Sequence, residues 1–207
     1  MPGDMVAGLD AAFAGFVAAT SPWEALAVFL AIVYLALAIR EHPGCWPAAL
    51  LSSLIYVLLM GGAQLYMEAA LQVFYVLMAA YGWWVWRPVA GAEVPVVHTW
   101  PVRRHLLALL LVGLLSLLSG FLLAQNTAAA LPYLDSFITW GSLLATWMVA
   151  RKVLENWLYW FVLDSLSLGV FLNRGLYLTA ALFGLYLVMI VIGYRTWRRS
   201  GQRRPAA

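Results

Sequence analysis

The chain has 207 residues, of which 65% are hydrophobic and only 10% charged. A soluble domain is typically about half apolar and about one quarter charged, so this composition excludes an ordinary soluble enzyme or binding domain. The mean hydropathy of +0.87 indicates an integral membrane protein, and the net charge of +3 does not imply a nucleic-acid partner because the basic residues separate apolar runs.

Seven apolar segments are bounded by charges, proline or glycine, and each approaches the roughly 20 residues of helix that cross a bilayer. In chain order they are residues 23–39, 46–62, 69–86, 106–124, 134–150, 157–172 and 176–194. The stretch 11–19 is too short to span, and we expect a short helix at the membrane surface there. The sequence therefore predicts an all-α membrane protein in which residues 1–207 form a single transmembrane domain.

The charges predict an orientation, because seven spans place the two termini on opposite faces. On the face of the C-terminus lie eleven of the twelve basic residues: Arg40, Arg87, Arg103, Arg104, Arg151, Lys152, Arg195, Arg198, Arg199, Arg203 and Arg204. Only Arg174 falls on the other face. Since Lys and Arg are enriched in cytoplasmic loops, we expect the N-terminus outside and the C-terminus in the cytoplasm.

The chain matches itself at an offset of 111 residues. LYMEAALQVFYVLMAAYGWWVWR at 65–87 aligns with LYLTAALFGLYLVMIVIGYRTWR at 176–198, with ten of 23 positions identical. The offset also pairs Trp46 with Trp157 and Arg40 with Arg151. We therefore expect a first repeat at 23–87, a linker helix at 103–125 and a second repeat at 134–198. Such parallel repeats occur in transporters, and the three-plus-one-plus-three count resembles the SWEET-type fold.

Asp164 is the deepest charge in a predicted span, where an ionised group costs about 2.5–3.5 kcal/mol and commonly marks function. It shares one helical face with Trp157 and Trp160, which precede it by seven and four residues, and Asn156 adjoins this face at the cytoplasmic entrance. This pattern predicts a substrate cage of indole faces with a carboxylate counter-charge. The alternative is a structural hydrogen bond between helices, with the tryptophans in an interfacial belt.

Two further polar faces accompany this one. In the fifth span Asp135, Thr139, Ser142 and Thr146 recur at helical spacing, which fits a water-filled path, a hydroxyl-rich ligand or close helix packing. In the third span Glu68, Gln72 and Tyr75 lie on one face, and Gln72 can both donate and accept hydrogen bonds. The repeat copies of Gln72 and Asp164 are Phe183 and Ser53, so the polar groups are asymmetric on a symmetric scaffold.

The chain resembles the PnuC family of bacterial vitamin transporters, which import nicotinamide riboside. The resemblance rests on LYMEAALQVFYVLMAAYGWWVW, DSFITWGSLLATWMVARKVLENWLYW and GLYLTA followed by GYRTW. It implies facilitated diffusion through a SWEET-like fold in the bacterial inner membrane, import driven by cytoplasmic phosphorylation, and a homotrimer. It also implies that the substrate site includes or borders Gln72, Asn156, Trp157, Trp160 and Asp164.

The substrate stays open between related vitamins. Some family members associated with nicotinamide riboside carry asparagine where this chain has Asp164, and relatives of the fold are assigned to thiamine or riboflavin. Nicotinamide riboside and thiamine carry a fixed positive charge that suits an indole cage with a carboxylate, whereas riboflavin is neutral and larger. We expect the substrate to be a cationic aromatic vitamin. The candidate contacts are Gln72, Tyr75, Asp135, Thr139, Asn156, Trp157, Trp160 and Asp164.

The residues give less support to other functional classes of membrane protein. A retinal-binding receptor needs a lysine in its last span, and the only lysine, Lys152, ends the fifth span. The sequence contains no HExxH or GxSxG motif that would indicate an enzyme, and its three histidines lie in predicted loops. A single cysteine excludes an internal disulfide, and neither a metal nor a cofactor is expected. Ion coupling through Asp164 stays open.

Overall fold

The computed structural model describes residues 21–62, 66–87, 95–127 and 130–203. Of the side chains at 66–70, 178 and 203 nothing is described, although their backbones lie in helices. The short surface helix predicted at 11–19 and the position of Arg204 lie outside the described residues.

The described residues form seven helices, as the sequence predicts. They are α1 (Pro22–Ile39), α2 (Cys45–Gly62), α3 (Tyr66–Trp86), α4 (Val102–Asn126), α5 (Pro132–Ala150), α6 (Asn156–Asn173) and α7 (Tyr177–Arg203). Four helices contain a segment long and apolar enough to cross a membrane by length and composition: α1, α2, α4 and α7. α3 contains a shorter apolar segment, Leu71–Trp86, among the residues whose side chains are described. Polar residues lower the hydropathy of α5 and α6, and the place of these three helices in the membrane remains a prediction.

Most helix ends agree with the sequence prediction to within a few residues, and two helices extend beyond their predicted apolar spans. α4 begins at Val102, within one residue of the predicted linker helix and four residues before its apolar span, and α7 continues about two and a half turns past Tyr194. Arginine is a good helix former, so a helix can continue after its apolar run has ended.

The helices pack in two groups of three. In the first group α1 packs on α2 and α2 on α3, and in the second α5 packs on α6 and α6 on α7. Contacts of α3 with α5 and of α1 with α7 join the groups, while α4 packs on α5. At an offset of 111 residues α1 corresponds to α5 and α3 to α7, so the two joining contacts are equivalent.

All seven helices have one terminus at the same end of the bundle, which we call the basic end. There α1, α3, α5 and α7 finish and α2, α4 and α6 begin, as contacts such as Trp86 with Ala150 and Trp197 with Ala38 require. The described basic residues at this end are Arg40, Arg87, Arg103, Arg104, Arg151, Lys152, Arg195, Arg198 and Arg199. Arg174 lies at the opposite end, after α6.

Four buried tryptophans at the basic end make contacts that repeat between the groups. Trp46 meets Trp86 edge-to-face at 5.3 Å between ring centroids, and Trp157 meets Trp197 in the same way at 5.4 Å. Trp86 and Trp197, which are repeat copies, also contact each other at 5.9 Å. A residue that contacts its own copy lies where the two groups meet, so this cluster is at the junction of the bundle.

Two glycines make room for these rings. A Cβ atom built on Gly82 would overlap the ring of Trp46, and one on Gly193 would overlap the ring of Trp157. Gly82 and Gly193 are copies at the same offset, so the same close contact of a tryptophan ring with a glycine occurs in both groups.

We predict that Gly193→Ala lowers the melting temperature of the purified protein by several degrees, because overpacking typically costs about 1–3 kcal/mol. Gly184→Ala on the same helix is the matched control. A Cβ atom there meets nothing within 4 Å, so its melting temperature should be equal or slightly higher. Equal melting temperatures for both variants would contradict the packing role.

Candidate functional site

Asp164 lies near the middle of α6, eight residues after the helix begins at Asn156, which is about 12 Å along the axis. Its side chain is buried, with 8% of the residue exposed. Within the described residues no donor or cation pairs with its carboxylate. A buried carboxyl group without a protein partner is costly, so a bound ligand or water is the natural source of its hydrogen bonds.

Two tyrosine hydroxyl groups lie within electrostatic range of this carboxyl group, and hydroxyl groups from three further helices lie near those two tyrosines. Tyr75 of α3 interacts with Ser142 of α5 and lies within electrostatic range of Asp164. Tyr186 of α7 lies within the same range of Asp164 and of Tyr56 on α2. Tyr34 of α1 lies near Tyr75. We call these six residues the central cluster: Tyr34, Tyr56, Tyr75, Ser142, Asp164 and Tyr186.

The central cluster combines two kinds of chemistry. The carboxylate accepts hydrogen bonds and attracts a cation, and the tyrosines offer hydroxyl groups together with ring faces. The four tyrosines are only half-buried, so part of each side chain is not covered by other parts of the protein. This arrangement suits a ligand that carries a positive aromatic ring and several hydroxyl groups.

The residues predicted on α3 and α5 are placed in different surroundings. Gln72 and Thr139 are half-buried and precede Tyr75 and Ser142 by one turn, on the side away from the basic end. Thr146 is buried and donates to the Ser142 carbonyl oxygen at 2.7 Å. Asp135 is exposed in the first turn of α5. The side chain of Glu68 lies outside the described residues.

The face of α6 that the sequence groups together is divided between two environments. Asn156 is fully buried at the basic end, and its amide donates to the Val153 carbonyl oxygen at 2.6 Å. Trp157 is 2% exposed, and its ring lies between Gly193 and Trp197. Trp160 is half-buried and packs against the apolar cluster of the junction. Asp164 alone of this face belongs to the central cluster.

Sequence reasoning did not single out three members of the central cluster. Tyr186 could have been found, because it is the repeat copy of Tyr75 and the aligned segment includes both. Tyr34 and Tyr56 have Ala145 and Ser167 at the copy positions, so the repeat gives no signal for them. Tyrosines are also common at membrane interfaces, and only the packing of α1 and α2 shows these two deep in the bundle.

A groove of about 340 Å³ opens on the outer surface between α4, α5 and α6, away from this cluster. Apolar side chains line most of it, among them Leu109, Val112 and Leu163. At one end His105 contacts the Tyr159 hydroxyl at 2.9 Å. None of the central cluster lines the groove, so it is separate from the candidate site.

The apolar helices and the polar cluster inside the bundle indicate a multi-span membrane protein. The family model described as nicotinamide mononucleotide transporter matches residues 21–199. The chain therefore belongs to this family, and the resemblance to the PnuC family read from the sequence is confirmed.

Two curated relatives and one solved structure illustrate the relationship. The chain is 27% identical over 173 residues to the riboflavin/roseoflavin transporter RibM of Streptomyces davaonensis, covering 81% of this chain and 80% of the relative. It is 23% identical over 207 residues to the nicotinamide riboside transporter PnuC of Escherichia coli, covering 87% of each.

The solved structure is a crystal structure of the vitamin B3 transporter PnuC. It superposes with a TM-score of 0.72 at 21% identity, covering 96% of this chain and 89% of that one. At this identity the likeness establishes the fold alone.

We predict that Trp157→Ala and Trp46→Ala each lower the stability of the ligand-free protein by about 3–5 kcal/mol, the usual cost of truncating a fully buried aromatic side chain. Trp160→Ala, at a half-buried position, should cost less. Thermal unfolding of the purified variants measures these differences. If the Trp157→Ala variant has the same melting temperature as the parent protein, this indole does not stabilise the junction.

Proposed function

We propose that the chain is a passive membrane transporter for a cationic aromatic vitamin, with nicotinamide riboside as the first candidate and thiamine as the second. The observation that carries this proposal is the buried Asp164 carboxylate, which has no partner among the described residues and lies among tyrosines. A pyridinium or thiazolium ring would supply the missing charge, and hydroxyl groups of the ligand would hydrogen-bond to the cluster.

The architecture fits alternating access around this site. In the proposal all seven helices cross the bilayer, α1–α3 and α5–α7 act as two parallel repeats in a SWEET-like arrangement, and α4 is their linker. The repeated tryptophan–glycine contacts and the equivalent pairs α3–α5 and α1–α7 support the repeat assignment. The excess of basic residues at one end supports a cytoplasmic basic end.

The driving force in the proposal comes from outside the protein. Uptake proceeds down a gradient, and phosphorylation of the vitamin in the cytoplasm keeps that gradient in place. The protein acts in a bacterial inner membrane, and family resemblance favours a homotrimer. Candidate contacts beyond the central cluster are Gln72, Thr139 and Trp160, which are half-buried on helices of the site. Asn156 and Trp157 would border it at the cytoplasmic exit, and Asp135 would lie at the outer mouth.

A neutral flavin is the alternative to a cationic vitamin, because the RibM relative is named for riboflavin and is 27% identical to the chain. Riboflavin is neutral, so a riboflavin site gains nothing from a carboxylate counter-charge. The effect of removing the charge of Asp164 therefore separates the two classes.

We predict that Asp164→Asn weakens binding of nicotinamide riboside and thiamine about 10- to 100-fold. A hydrogen bond or contact to a charged group is worth about 1.5–3 kcal/mol, and 1.4 kcal/mol is a tenfold change in affinity. Calorimetric titration of the purified protein with nicotinamide riboside, thiamine and riboflavin measures the change.

Asp135→Asn is the matched comparison, since it makes the same substitution at an exposed carboxylate outside the central cluster and should lower the affinities much less than Asp164→Asn. Tight riboflavin binding that Asp164→Asn does not alter would replace the cationic vitamin with a flavin. Unchanged affinity for the cationic ligands would remove the counter-charge role.

We also predict that uptake into liposomes without an ion gradient continues until inside and outside concentrations are equal and then stops. A facilitator cannot concentrate its substrate, because both faces bind it with the same free energy at equilibrium. Repeating the assay with an imposed pH gradient tests proton coupling through Asp164. Accumulation above the outside concentration would show a coupled transporter.

A further inference from the structure

Glu41 and Lys152 form an ion pair across the two groups of helices. Glu41 follows the end of α1 and Lys152 follows the end of α5, and the Nζ–Oε2 distance is 2.9 Å. Their side chains are 19% and 6% exposed. The two residues are 111 positions apart, so each is the repeat copy of the other and the pair lies at the junction.

Both residues adopt a backbone conformation that favours glycine. Their φ angles are 55° and 54°, and they are the only non-glycine residues with positive φ in the described part of the chain. Each follows its helix in a Schellman turn, with hydrogen bonds from His42 N to Leu37 O and from Val153 N to Met148 O. Glycine is the usual residue at such a position. The presence of Glu41 and Lys152 there therefore indicates that their side chains have a role outside the turn.

The ion pair is accompanied by reciprocal hydrogen bonds between the groups. The indole of Trp86 donates to the Ala150 carbonyl oxygen, and the indole of Trp197 donates to the Ala38 carbonyl oxygen, both at 2.9 Å. The Lys152 ammonium group lies 4.6 Å from the centre of the Trp86 ring. These hydrogen bonds and this cation–π contact therefore join the two groups at the basic end.

The opposite end lacks such links in the part of the chain that the structure describes. There, no hydrogen bond or ion pair joins α1–α3 to α5–α7. The interaction of Tyr75 with Ser142, at the level of Asp164, is the polar contact between the groups farthest from the basic end. The described conformation is closed at the basic end, beyond the central cluster.

We infer that the Glu41–Lys152 ion pair is a latch that holds the basic end closed and must break for a substrate to pass there. This inference rests on the proposed transport function. Under alternating access, the two groups separate at one end while they meet at the other. A single ion pair between equivalent helix ends can break and re-form without altering the fold of either group.

The first test removes both side chains while keeping both turns. Glu41→Gly with Lys152→Gly retains the backbone conformation, because glycine favours positive φ, and should leave the melting temperature within a few degrees of the parent. The readout is the rate at which a membrane-impermeant thiol reagent, applied from the basic side, modifies Ser142→Cys in a Cys45→Ala background. We expect the rate to rise about tenfold.

Arg40→Gln is the matched control, since Arg40 is an exposed charge beside Glu41 and should leave the modification rate unchanged. An unchanged rate in the double glycine variant would overturn the latch. An equal rise with Arg40→Gln would also overturn it, because the effect would then reflect charge alone.

The second test locks the pair. Glu41→Cys with Lys152→Cys, again with Cys45→Ala, is bridged by reducible bifunctional thiol reagents of different lengths in proteoliposomes. We expect bridging to stop vitamin uptake, to preserve binding from the opposite side, and to be reversed by a reductant. Continued uptake by the bridged protein would overturn the latch, as would loss of binding together with uptake.

The two tests separate this inference from the proposed function. The thiol-modification rate requires no substrate. If the parent neither binds nor moves any of the three vitamins but the rate responds as expected, the latch stands and the function fails. If the parent transports a vitamin and the rate does not respond, the latch fails and the function stands.

Discussion

A tryptophan ring packed directly on a glycine of a neighbouring helix is the contact on which the rest of the bundle depends. It occurs once in each group, with Trp46 on Gly82 and with Trp157 on Gly193. In a bilayer the apolar lipid offers no hydrophobic force between helices, so close approach and dispersion contacts hold them together. Two such contacts fix α2 against α3 and α6 against α7, and the indoles of Trp86 and Trp197 then join the groups.

This nearly symmetric frame carries an asymmetric interior. Asp164 has Ser53 as its copy, Gln72 has Phe183 and Ser142 has Ala31. The tryptophans and glycines that repeat form the contacts of the frame, and Tyr75 and Tyr186 repeat within the central cluster. The asymmetry of the interior therefore comes from Asp164, Gln72 and Ser142. A ligand with a charged ring at one side and hydroxyl groups at the other requires such a difference, because a symmetric lining would present the same chemistry to both parts.

The sequence predicts the frame better than the site, and the reason is physical. Apolar length is sufficient to find the seven helices, and the offset of 111 residues adds the prediction of two repeats. The period of a helix also finds the face shared by Trp157, Trp160 and Asp164. Which part of that face a neighbour covers depends on α7 packing over Trp157, and no pattern within α6 contains that information.

The ion pair at the basic end illustrates the same limit. Glu41 and Lys152 each adjoin an arginine at the end of an apolar run, where charges ordinarily only mark the cytoplasmic side. The repeat alignment shows that these two residues have opposite charges at one repeat position. The alignment does not show that the two copies contact each other, and only the structure shows that they form an ion pair.

The basic end combines contacts that join the two groups with costs that arise inside each group. The Glu41–Lys152 ion pair and the two reciprocal indole hydrogen bonds join the groups. Two non-glycine residues there adopt the left-handed conformation, which costs roughly 1–2 kcal/mol each. The buried indole N–H groups of Trp46 and Trp157 also have no partner among the described residues, and an unpaired buried donor costs about 1–3 kcal/mol. Because these costs arise inside each group, they do not distinguish a closed from an open state, and the balance between two such states depends on the contacts that join the groups.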